Sequence, residues 1–303
     1  MLERFVPAPL VRWFARPYVA GESPAKAIAA AATLLARDAT RATLDLLGEE
    51  VREPARVEAN AEVYRRLVDT ITADARFADP AARPSLSLKP SAFTIGPPEQ
   101  ARLSIEGIAA HAAAAGVALT IDMEDRRWTD FTLALALDLF RRGWDVGAVL
   151  QTRLHRTEQD LEAIPAGMRV RLVIGIYREP AEFALLDKGP MKERMLEFAG
   201  RLLERGAFVE FATHDEAVLR RFLRDVAPRA PERCEIQLLL GVPRARFARD
   251  LRAGALGPKV PVRLYVPFAV GWDDATAYLR RRMRESPSMI WLVLRNLLPG
   301  AGR

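Results

Sequence analysis

Lysine is scarce in this chain, with Lys26, Lys89, Lys188, Lys192 and Lys259 standing against a majority of arginines among its 45 basic residues. Lys89 closes a short apolar run in SLSLKPSAF, directly before a proline. An ammonium placed there can hold an anion or pair with a carboxylate. Polar residues end other apolar runs too: Asp45 and Glu49 in LDLLGEE, Asp122, Glu124 and Asp125 in IDMED, Gln151 with Arg153, Arg171, Thr213 with His214, Gln237, and Tyr265. Taken singly, each is equally an interior ion pair or a solvated residue where strand gives way to loop. If the runs lie side by side, their ends gather onto one rim. A second cluster lies in AYLRRRMRES, where helical spacing puts Tyr278, Arg281, Arg282 and Glu285 along one broad face. Paired guanidinium groups suit a carboxylate or phosphate, which they bind through two parallel hydrogen bonds. A solvated basic face is the plainer alternative.

Other chemistries find no support. His111, His155 and His214 sit on separate segments without an HxH or HExxH pattern, so no metal site is expected. There is no GxSxG elbow and no P-loop. Cys234 is the only cysteine, which excludes disulfides within the chain, CxxC redox centres and cysteine-rich zinc sites. The net charge of +6 is spread among interspersed charges of both signs, and no DNA-binding motif accompanies it, so a nucleic-acid partner is not expected.

Elements able to position these residues follow from the apolar pattern. The chain has 303 residues, half of them apolar and 28% charged, and no uncharged stretch of about 18 residues, which predicts a soluble globular protein. Eight strand-like runs occur at 42–48, 85–89, 118–123, 147–152, 169–175, 207–213, 235–241 and 262–267. Most look too apolar to alternate, as in strands buried on both faces of a parallel sheet. Helical periodicity fills the gaps at 60–73, 99–115, 129–142, 158–164, 191–205, 216–225 and 244–253, with an eighth helix at about 273–285. This pattern predicts an α/β fold, a (β/α)8 TIM-type barrel with additional N-terminal helices and its chemistry at the C-terminal ends of the strands. An open doubly wound sheet competes, but the first βα turn lacks GxGxxG. An extra amphipathic helix at 23–39 gives a layout of an N-terminal helical segment, 1–40, and a barrel, 41–303. The start MLERFVPAPLVRWFARPYVAG lacks a secretory signal pattern, and its arginine and aromatic mixture suits a membrane surface or packing on its own domain.

LDLLGEEV, SLKPSAF, IDMED, VLQTRLHRT, VRLVIGIYREP, FATHD, EIQLLLGV, RLYVP and YLRRRMRES occur in this order at successive strand ends. In these segments the chain resembles the single-domain bacterial proline dehydrogenases, FAD-dependent flavoenzymes built on a (β/α)8 barrel. The resemblance implies oxidation of L-proline to 1-pyrroline-5-carboxylate by hydride transfer to flavin N5, the first step of proline catabolism, with electrons passed to a quinone. It implies that Lys89, Arg281 and Arg282 bind the substrate carboxylate, that Tyr265 and Tyr278 wall the ring with Leu239 or Leu240 opposite, and that Asp122 orients Lys89 or a clamp arginine. Glu285 would pair with an arginine, and Glu49 would close an ion-pair gate with Arg281. Flavin contacts carried over are Met123, Gln151, Arg171, Gly175, Thr213, His214 and Gln237, with Arg171 donating to N5.

The chain departs from the family pattern at Ile174 and Ile176, where a basic residue and an alanine are usual, and at Leu240, which replaces a tyrosine. The first would leave one flavin contact without its cation, and the second, if it lies on the pocket wall, would narrow the space for a proline ring. A flavoenzyme for another secondary amine and a diverged non-catalytic barrel are the alternatives these changes admit. The resemblance also implies a cytoplasmic protein working at the inner face of the membrane, where the start and the apolar tail SMIWLVLRNLLPG would find a surface; packing of the tail on the barrel or on another subunit is the plainer alternative.

Overall fold

The computed structural model describes residues 17–49, 51–242 and 245–271. Eight strands, β1 (Arg41–Leu46), β2 (Ser85–Leu88), β3 (Leu119–Ile121), β4 (Val146–Gln151), β5 (Arg169–Val173), β6 (Phe208–Ala212), β7 (Cys234–Leu239) and β8 (Val262–Phe268), pair in parallel in chain order and close on themselves. Helix α1 (Pro24–Asp38) precedes β1. Between successive strands run α2 (Pro54–Ala73), α3 (Arg102–Ala114), α4 (Thr129–Arg141), α5 (Thr157–Glu162), α6 (Lys188–Glu204), α7 (Glu216–Arg221) and α8 (Ala245–Arg252). The expected barrel is thus present. The helix expected after β8 lies outside the described residues.

Local chemistry sets the element ends. Ser23 accepts the Lys26 N–H and Pro24 opens α1 in its first turn, while Ala39, at φ 49°, closes it in the left-handed region. Pro54 likewise opens α2 six residues before the expected start at Asn60, because a proline in the first turn loses no helical hydrogen bond. The single helix expected over 216–225 stops at Arg221 and continues as a π turn, Phe222–Val226, in which Phe222, Leu223 and Val226 are all buried.

The strands do alternate, contrary to the sequence expectation. One face carries Leu44, Leu86, Leu88, Ile121, Leu150, Val170, Leu172, Val209, Phe211, Ile236 and Leu238, which join helix residues such as Ile105, Ile108, Leu139, Leu202 and Leu219 in one apolar core. The other face, inside the barrel, carries Thr43, Asp45, Ser85, Ser87, Thr120, Arg169, Arg171, Glu210, Glu235, Gln237, Arg263 and Tyr265. Hydrogen bonds from Arg171 on β5 to Ser87 on β2 and to Asp122 just after β3 can only cross the interior. Polar groups remain buried there because each finds a charged or hydrogen-bonding partner on another strand.

Closure falls between β8 and β1, paired over six residues from Arg41↔Arg263 to Leu46↔Phe268. The segment before α1 lies along this seam: Ala20 N donates to Pro267 O at 2.8 Å and Ala269 N to Gly21 O at 3.0 Å. Gly241, at φ +81°, lets the turn after β7 approach Pro17 so closely that a Cβ there would run into the Pro17 carbonyl.

Candidate active site

Lys89 follows β2 at the C-terminal rim and is 7% exposed. The next residue, Pro90, begins a 3-10 turn, Pro90–Ala92, that carries the chain away from the barrel. Register places Asp45 of β1 beside Ser87, two residues before the lysine. Lys89 Nζ consequently donates to both Asp45 carboxylate oxygens at 2.7 Å, with Asp122 Oδ2 at 3.8 Å and the Tyr265 hydroxyl at 3.4 Å. Burial pushes the ammonium toward neutrality, but the negative neighbours, Asp45 first, outweigh it and hold Lys89 charged well above its usual range.

Asp122 gathers a second set of donors. Its Oδ1 accepts from Ser87 Oγ at 2.8 Å and Arg171 Nη1 at 2.5 Å, and its Oδ2 from the Tyr265 hydroxyl at 2.6 Å. Burial, with Asp122 and Asp45 nearby, keeps the Tyr265 phenol protonated and therefore a donor. The Arg171 guanidinium sits 5.0 Å from the Tyr265 ring centroid and donates from Nε to Gln237 Oε1 at 2.7 Å. Its Nη2 is buried without a hydrogen-bond partner in the protein.

Beneath this layer Arg169 pairs with Glu210 at 2.7 Å and Arg263 with Glu235 at 2.6 Å. Four cations, Lys89, Arg169, Arg171 and Arg263, thereby meet four anions, Asp45, Asp122, Glu210 and Glu235, inside the barrel. Burial raises the Glu210 carboxyl, but Arg169, Arg171 and Arg263 together hold it below its ordinary value.

Glu124 stands at the edge of the site, 5% exposed, accepting from Ser91 N at 2.8 Å and Ser91 Oγ at 2.6 Å. Burial exceeds the effect of these donors and pushes its carboxyl up to about 7. Its backbone carbonyl accepts from Gln151 Nε2 at 2.7 Å, while Gln151 Oε1 is buried with no partner. Gly175, at φ +95°, packs so tightly on Gln151 that a Cβ would meet its side chain.

Among the other residues singled out in the sequence, Met123 is buried, His214 Nε2 accepts from Leu239 N at 3.3 Å, and Thr213 Oγ1 accepts from Asp215 N at 3.2 Å. Glu49 Oε2 accepts from Gly48 N at 3.0 Å. Tyr278, Arg281, Arg282 and Glu285 lie outside the described residues. The structure therefore brings Lys89, Asp122, Arg171, Gln237 and Tyr265 into one hydrogen-bonded group. It adds Ser87, Glu210 and Glu235, which sequence reasoning did not select, and gives Asp45, noted there only as a strand-end residue, a place as the partner of Lys89. Among the described residues, no cluster of three or more His, Cys, Asp and Glu side chains is arranged to hold a metal ion, and no helix is long and apolar enough to cross a membrane.

A sequence model of the family described as proline dehydrogenase matches residues 28–180. The proline dehydrogenase of Deinococcus radiodurans is 30% identical over 295 residues, an alignment covering 94% of this chain and 90% of that protein. The chain belongs to the proline dehydrogenase family. Proline dehydrogenase 1 of Bacillus subtilis is 28% identical over 301 residues, covering 98% and 95% of the two chains. Among solved structures, proline utilization A from Bdellovibrio bacteriovorus, inactivated by N-propargylglycine, superposes with a TM-score of 0.78 at 20% identity and covers 95% of this chain. The present chain spans 33% of that larger protein, and at this identity the likeness speaks for the barrel fold alone. Proline utilization A from Bradyrhizobium japonicum gives a TM-score of 0.72 at 20% identity, with 94% of this chain and 31% of that one covered.

Proposed function

We propose that this family member oxidises L-proline to 1-pyrroline-5-carboxylate with FAD as the electron acceptor, and that the electrons leave to a quinone at a membrane surface. The observation that carries the reading is the buried group of Lys89, Asp122, Arg171 and Tyr265 at the C-terminal ends of a proline dehydrogenase family barrel. Two buried atoms without protein partners, the donor Arg171 Nη2 and the acceptor Gln151 Oε1, fit the edge of a flavin ring, which offers hydrogen-bonding groups of both kinds. Met123, Gln151, Arg171, Gly175, Thr213, His214 and Gln237 are the residues that would hold it. When bound, the flavin supplies at N5 the acceptor for the hydride from the proline ring carbon next to nitrogen, as the C–H bond breaks and a C=N bond forms.

The protein's part is binding and orientation. Lys89, kept charged by Asp45 and Asp122, joins Arg281 and Arg282 in holding the substrate carboxylate, so that the reacting carbon is fixed in place. Asp45 positions Lys89, and Asp122 positions Arg171 and Tyr265. Tyr265 and Tyr278 wall the ring, Glu285 pairs with an arginine of the clamp, and Glu49 closes over the substrate with Arg281. Arg171 is the cationic donor that favours the added negative charge of the reduced cofactor.

The test is the spectrum of the purified protein. A flavin absorption band that bleaches on anaerobic addition of L-proline supports the proposal; a protein that takes up no flavin, or a bound flavin untouched by proline, overturns it. A second reading, oxidation of another cyclic or secondary amine, draws on Ile174, half-buried against the core where the family has a basic residue, and on Ile176. Bleaching by such an amine in preference to L-proline would decide for it.

A further inference from the structure

Arg171 is placed between two competing acceptors. Its Nε donates to Gln237 Oε1 at 2.7 Å, yet lies 3.7 Å from Glu210 Oε2, a carboxylate oxygen that is itself buried without a hydrogen-bond partner. An anion would ordinarily win this contest, because a charge-assisted hydrogen bond is stronger than one to a neutral amide. The neutral amide wins here only while its oxygen, rather than its nitrogen, faces the guanidinium.

A glutamine side chain has two nearly isosteric orientations. The orientation of Gln237 is set from below by Glu235, on the same inward face of β7 and two residues earlier. Glu235 Oε1 accepts from Gln237 Nε2 at 2.8 Å and from Arg263 Nε at 2.6 Å. An ionised carboxylate can only accept, so it holds the amide nitrogen and turns the amide oxygen toward Arg171. Glu235, Gln237 and Arg171 are all at least nine-tenths buried, with no solvent to substitute for a lost partner.

We infer that Glu235 is a positioning residue: by keying the Gln237 amide it keeps Arg171 off Glu210 and leaves Nη2 presented to the cofactor. This rests on the reading above that Arg171 Nη2 faces the flavin. Without Glu235, the Gln237 amide can flip, Nε turns to Glu210, and the donor is withdrawn.

The experiment is the midpoint potential of the bound flavin in the full-length holoprotein, for the wild type, Glu235→Gln and the charge-balanced double variant Glu235→Gln/Arg263→Gln. A glutamine at 235 no longer dictates the amide orientation, so the double variant should favour the reduced flavin about tenfold less, a fall of about 30 mV for a two-electron couple, and the single variant should fall by less. A pure charge effect has the opposite sign in the single variant, since removing an interior anion favours a more negative flavin, and vanishes in the double variant. The double variant leaves no unpaired interior charge and decides the question; an unchanged or raised potential there overturns the inference. A wild type without flavin, or one not reduced by proline, would instead defeat the proposed function.

Discussion

Replacing Glu124 by glutamine probes whether burial governs the edge of the site. Burial pushes this carboxyl from 4.5 up to about 7, against the two hydrogen bonds from Ser91. Between those two values the folded protein binds the proton more tightly than the unfolded chain does, so this group's contribution to stability declines as pH rises through the window. Above about pH 7 the full cost of burying the charge is in place, about 3 kcal/mol at 1.36 kcal/mol per tenfold change in proton affinity. Glutamine mimics the protonated acid: its carbonyl can accept from Ser91 N, and its amide can donate to Ser91 Oγ. Urea unfolding of wild type and Glu124→Gln from pH 4.5 to 9 should give nearly equal stabilities at the acid end. The variant should then pull ahead progressively, by about 3 kcal/mol at pH 8.5. Taking the difference cancels every other titrating group common to both proteins. A difference flat across pH, or one favouring wild type at alkaline pH, would refute the claim that burial dominates at this carboxylate.

Asp45→Asn leaves the Lys89 ammonium without its nearest counter-charge in a buried setting, and denaturant unfolding should register a loss of about 3 to 5 kcal/mol. Gly175→Ala combines an unfavourable φ of +95° with a Cβ directed into Gln151. It should cost at least about 1 kcal/mol in thermal unfolding and release flavin on gel filtration more readily than wild type. Arg281→Ala or Arg282→Ala should raise the KM for proline roughly ten- to a hundredfold, the worth of a charged hydrogen bond to a carboxylate, with little change in melting temperature. Equal losses of melting temperature and affinity would assign these arginines a structural role instead.

Much of the barrel was legible because strands and helices announce themselves over short windows. The eight strands fall within a few residues of the apolar runs, and Lys89 emerges at a rim as its rarity and its place before Pro90 suggest. The partner of Lys89 was not legible, because pairing depends on the register of β1 against β2, and Asp45 is separated from the lysine by the whole of α2. Arg169, Glu210, Glu235 and Arg263 were passed over for another reason: a single charge inside an apolar run reads as an interruption. A period of two was nonetheless present in Arg169 with Arg171, Glu235 with Gln237, Arg263 with Tyr265, and Ser85 with Ser87 and Lys89. Such a pattern is what an inward polar face and an outward apolar one produce. The orientation of Gln237, by contrast, is decided by a cross-strand network and has no trace in local sequence.

The seam between β1 and β8 bears on how the protein comes into being. β1 leaves the ribosome long before β8 exists, and until then one edge of the growing sheet has no strand to pair with. The segment holding Ala20 and Gly21 waits too, since its partners Pro267 and Ala269 are at and just beyond the end of β8. Helices and neighbouring strand pairs can assemble during synthesis, but sealing the barrel joins the two most distant parts of the sheet, the slowest kind of contact to form. A nascent chain halted before Val262 should therefore be the species most in need of a chaperone, with open edges at both β1 and β7.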